Sequence, residues 1–153
     1  MNSTFQILLI LHVLAGVLGI LFFLCAFFCL ARPHRGKWRV GVTLLGTLSF
    51  WIAWIAGGAY YVKRYGSAVK PIIMKGSTPW AHTIFMEAKE HLFLFLPFLS
   101  VAALLLVWLA GQEIDKDEKL RARAQMLVGL IIALGIFMTF SGIVISAAGG
   151  RVS

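Results

Sequence analysis

Four long apolar runs, Phe5 to Ala31, Val40 to Val62, Thr83 to Ala110 and Met126 to Ala148, dominate this 153-residue chain. Each has the roughly 20 apolar residues that a helix needs to cross about 30 Å of hydrocarbon. Between them lie a short basic segment (32–39), a longer mixed one (63–82) and a charged one (111–125), too little polar chain for a soluble domain. The pattern predicts an all-α, integral membrane four-helix up-and-down bundle, with residues 1–153 forming a single transmembrane domain. Arg32-Pro33 should stop the first helix, because the proline ring removes a donor and disfavours helix at the residue before it. Gly66, Pro71, Gly76 and Pro79 should keep the second connection irregular. Trp38, Tyr60, Tyr61, Tyr65 and Trp80 fall where an interfacial aromatic belt belongs.

Composition agrees: 60% hydrophobic and 13% charged residues cannot cover a soluble globule with polar surface. The first six residues carry no Lys or Arg, and the apolar run outlasts a cleavable signal core, so a retained first helix is expected. The basic residues of the first and third connections number eight (Arg32, Arg35, Lys37, Arg39, Lys116, Lys119, Arg121, Arg123). The opposite side has five (Lys63, Arg64, Lys70, Lys75, Arg151). Positive charge favours the cytoplasmic face, so both termini should lie outside, in what would be a bacterial inner (cytoplasmic) membrane. The net charge of +8 sits at helix ends, which suits lipid headgroups and not nucleic acid. Cys25 and Cys29, one helical turn apart, read as apolar packing. The alternating charges around Asp115 and Lys119 read as a solvated turn with i,i+4 pairs. No catalytic motif of a known covalent mechanism is present, and an autonomous enzyme is not expected.

Small residues mark buried faces in lipid, where helices associate by close backbone approach. Gly46, Ser49, Ala53 and Gly57 form such a series on the second helix. Gly135, Thr139, Gly142, Ser146 and Gly149 form one on the fourth. Ionisable groups at or in hydrocarbon are costly and hence functional candidates, and Glu87-Ala88-Lys89-Glu90-His91 places four of them at the head of the third helix. His12 and His91 each lie 19 residues before the end of their runs, ~28 Å at 1.5 Å per residue, so the two imidazoles share a depth near the outer boundary. Gly16 and Gly19 leave backbone bare beneath His12. Glu87 shares the face of His91, while Lys89 and Glu90 point elsewhere.

Three functional readings follow. A b-type haem would take His12 and His91 as axial ligands against Gly16 and Gly19, making an electron carrier that exchanges with a quinol or an external redox protein. A non-haem metal would use His12, His91 and Glu87. A proton or cation relay, in a transporter or beside other membrane subunits, would use Glu87 and Glu90 together with His91. The plan resembles small four-helix haem-bearing membrane subunits in architecture and histidine placement, with no specific motif behind the likeness. Without function, the acids would sit in headgroup water, Lys89 would snorkel outward, and His12 would bond across the bundle to a hydroxyl or a backbone carbonyl. His82 and His34 are expected at solvated positions. Pro97 should kink the third helix.

Overall fold

The computed structural model describes residues 3–32 and 36–150, all of whose regular structure is helical. Four long helices are apolar enough to cross a membrane: Ser3–Leu30, Gly36–Lys75, Ala81–Leu109 and Glu118–Gly150. The first is α1 and the second joins α2 (Gly36–Tyr60), a π-helical stretch (Tyr61–Val69) and α3 (Lys70–Lys75). The third joins a π-helical stretch (Ala81–Met86), α4 (Glu87–Phe93) and α5 (Phe95–Leu109). After α6 (Gly111–Lys116), the fourth long helix is α7 (Glu118–Gly150). Helix α1 packs on α2 and α7, α5 packs on α2 and α7, and α3 also meets α7.

The spans sit where the apolar runs put them, but their ends do not. The segment 63–82 is mostly helix, and Lys63, Arg64, Lys70 and Lys75 are helical residues. Pro71 is accommodated because it stands in the first turn of α3, directly after the π-helical stretch, where Lys70 N–H bonds Tyr65 O. A first-turn proline forfeits no bond that the helix needs. The chain leaves the helix only at Gly76, whose backbone is extended.

The charged segment 111–125 is also helical, broken at Asp117. That carboxylate caps α7, accepting from the N–H of Lys119 at 2.8 Å and of Leu120 at 3.3 Å. The break removes the i,i+4 spacing expected of Asp115 and Lys119. Asp115 instead pairs with Arg39 Nη1 at 2.9 Å, while Nη2 donates to Gly111 O at 2.8 Å. Arg39 was expected in a solvated loop. It stands in α2, fully buried, and ties the start of that helix to α6.

Glycine decides how closely the helices approach. A Cβ on Gly46 would fall 2.7 Å from the Phe23 ring, and one on Gly19 would fall 2.6 Å from Phe50. Those rings stack on each other at 5.4 Å between centroids, and both belong to the core that continues through Leu96, Ala103 and Val128. The series Gly46, Ser49, Ala53, Gly57 thus faces α1, as its spacing implies. On α7 only part of the expected seam is interior. Gly135 meets Ile20 and Gly149 meets Val69, but Ser146 is exposed and the buried line shifts to Ser141, Ile145 and Ala148. Thr47 bridges α2 and α5, its Oγ1 lying 2.9 Å from Thr43 O and 3.1 Å from Ser100 O. The third long helix breaks at Leu94, three residues before Pro97, and Ser100 Oγ donates to Pro97 O. Outward, large apolar side chains such as Ile7, Leu14, Phe28 and Ile143 are exposed, as a hydrocarbon solvent requires.

Candidate functional site

His12 stands on α1 against α2. Its Nδ1 lies 2.8 Å from Ala53 O, and because a carbonyl only accepts, the ring nitrogen donates. Gly57, one turn beyond Ala53, makes room for the imidazole: a Cβ there would fall 2.5 Å from Nδ1. This is the backbone-carbonyl bond expected of a histidine that serves packing. Gly19, two turns below on α1, offers no bare face to a flat ligand, because Phe50 fills the space above it. Gly16 is open, with nothing within 4 Å of a would-be Cβ.

His91 is placed differently. It is exposed, its Nδ1 lies 2.7 Å from Glu87 O of its own turn, and the Glu87 side chain is exposed as well. Among the described residues no three His, Cys, Asp or Glu side chains gather in a group that could hold a metal, so the set His12, His91 and Glu87 is not assembled. The reason lies in the rotation of the third helix about its axis. The wheel separates Glu87 and His91 from Lys89 and Glu90 correctly, but the second pair turns inward.

Lys89 runs along the helix toward α7, its Nζ 3.3 Å from where a Cβ on Gly142 would stand. No ion pair to Lys89 occurs among the described residues. Glu90 is half-buried and accepts a hydrogen bond from Tyr61 Oη at 2.7 Å. Tyr61 stacks on Tyr65, with ring centroids 5.4 Å apart and planes inclined by 19°. Tyr65 Oη lies 2.9 Å from His82 Nδ1, and the two residues are 3% and 4% exposed. The carboxylate of Glu90 acts electrostatically on both tyrosines. Four polar side chains from the second and third long helices therefore form one cluster.

The local geometry follows from the π-helical stretches. An i→i+5 bond pattern widens the turn, so residues four apart lie nearly one above the other, which stacks Tyr61 on Tyr65. His82 rides on the facing stretch, Ala81–Met86. Such wide turns are frequent at functional sites. Nearby, Trp54 stacks on Phe93 at 5.6 Å, and its buried Nε1 has no hydrogen-bond partner.

His82 was expected at a solvated position and is instead buried. One signal in the sequence points to it. Ser100, Ala103 and Val107 mark a buried stripe on the third helix, and helical spacing carries that stripe back through Leu96, Phe93, Lys89 and Met86 to His82. His34 lies outside the described residues.

No protein-family model matches the chain, and neither a curated protein nor a solved structure does.

The Tyr65–His82 bond has a measurable weight. Tyr65→Phe keeps the ring and its stacking but leaves His82 Nδ1 without a partner, so a loss of about 1 kcal/mol is expected. Unfolding in mixed micelles followed by tryptophan fluorescence would check it; an unchanged midpoint would show that the bond adds nothing.

Proposed function

We propose that this protein is an up-and-down membrane bundle that passes protons through Glu90, Tyr61, Tyr65 and His82 near the end of the bundle that carries both termini. The observation that supports this reading is the contact between two hydrogen-bonded pairs, Glu90 with Tyr61 and Tyr65 with His82, through the tyrosine stack. Each pair joins a group that exchanges protons readily, a carboxylate or an imidazole, to a hydroxyl that both donates and accepts. Tyr65 and His82 stand next to the turn that joins the second and third long helices, so His82 is the end of the row nearest that end of the bundle, and half-buried Glu90, two turns further along the third helix, is the deeper end. Intramembrane ionisable residues that face protein and bond one another mark proton pathways. With the termini outside a bacterial cytoplasmic membrane, His82 stands nearest the outer side and Glu90 at the deeper end of the row, within a transporter or beside other membrane subunits.

Glu87 and Glu90 separate this reading from a general effect of surface acids. In vesicles loaded with a pH-sensitive dye, Glu90→Gln is expected to lower proton flux about tenfold or more, since the amide cannot carry the proton. Glu87→Gln, at an exposed position, is expected to leave it unchanged. Equal flux from wild type and Glu90→Gln would end the proposal.

A further inference from the structure

At the other end of the fold, between the start of α2 and the junction of α5 with α6, lies an open groove of about 550 Å³. Its polar side is built by Lys37, Arg39, Gln112 and Asp115, and its apolar side by Val40, Val107 and Trp108. Arg39 is fully buried, with two guanidinium nitrogens engaged by Asp115 and Gly111 and with Nε lacking any acceptor. Lys37 is exposed along the rim. The groove's single acid is already bound to the buried Arg39, which leaves exposed Lys37 as the cation without a carboxylate among the side chains that line it.

We propose that this groove binds one anionic phospholipid, its phosphate held by the exposed Lys37 beside Gln112 and an acyl chain lying along Val40 and Trp108. Phosphate oxygens supply an acceptor for the Lys37 ammonium, a compact charge suited to them. The apolar half distinguishes a lipid from a free anion. Trp108 is 65% exposed and neighbouring Leu109 is 75% exposed, so the groove opens sideways onto the surface that faces hydrocarbon. A basic pocket between helices at headgroup depth is the arrangement that retains acidic lipids. Gly41 keeps the entrance clear, with nothing within 4 Å of a would-be Cβ.

The test uses the full chain in zwitterionic nanodiscs, with native mass spectrometry after titration of phosphatidylglycerol, phosphatidylcholine or inorganic phosphate. The wild type is expected to retain one phosphatidylglycerol with about tenfold preference over phosphatidylcholine. Lys37→Glu should abolish that preference. The exposed Lys119→Glu should not, although it changes the net charge equally. Three results would overturn the proposal: equal retention of the two lipids, an undiminished preference in Lys37→Glu, or an equal loss in Lys119→Glu, which would reveal diffuse attraction. Inorganic phosphate that displaces phosphatidylglycerol at matched concentration would show a free-anion site and would also overturn the lipid assignment.

Discussion

Asp115→Ala is expected to destabilise the fold by about 3 kcal/mol, the low end of the range for breaking a buried ion pair. The cost arises at the partner. Arg39 is fully buried, and without the carboxylate its guanidinium keeps only the Gly111 carbonyl as a protein acceptor in this contact. An uncompensated buried charge costs several kcal/mol, whereas the intact pair contributes little net, because its attraction is offset by desolvation of both ions. Asp115 retains 21% side-chain exposure, which places the estimate at the bottom of the range. The double variant Arg39→Met, Asp115→Leu is therefore expected to recover part of the loss, since the buried guanidinium is no longer left without its carboxylate. Thermal unfolding in a neutral detergent, followed by circular dichroism, measures both. A double variant as unstable as Asp115→Ala would mean that the two residues act through packing and not through charge.

Run length made the four helices legible, because a hydrocarbon solvent demands it of any crossing segment. The series Gly46, Ser49, Ala53, Gly57 was legible for a related reason: close backbone approach tolerates only small residues, and here Phe23 and His12 fill the space they leave. The ends of the helices were hidden because the rule used to find them, that Gly66 and Pro71 interrupt a helix, was overridden by a π-helical stretch that contains Gly66 and places Pro71 in the first turn of the helix after it. The site was hidden by the apolar surroundings. A helix in water announces its inner face by contrast, but around the third helix nearly every flank is apolar, so the wheel could group Glu87 with His91 without saying that this group faces out. Only the small and polar residues Ser100 and Ala103 carry the orientation. Arg39 illustrates the same limit at a helix end, where a charge counted as solvated is held in the interior by an acid 76 residues away.

Gly57→Ala is expected to cost about 2–4 kcal/mol, from overpacking together with the loss of one hydrogen bond. Helix propensity alone predicts the opposite sign, because alanine favours a helix interior by roughly 1 kcal/mol over glycine. The methyl group would stand 2.5 Å from His12 Nδ1 and 2.7 Å from Cε1. The ring has no room to yield without leaving Ala53 O, since its nitrogen is held there at 2.8 Å. Removing the imidazole should therefore reverse the effect: in a His12→Ala background the added methyl meets empty space, and Gly57→Ala becomes neutral or stabilising. The coupling between the two positions, read from a double-mutant cycle of unfolding midpoints, separates steric exclusion from any general intolerance of α2 to alanine. Additive effects would show that the glycine is kept for some other reason and that the imidazole does not sit in the notch between the first two helices.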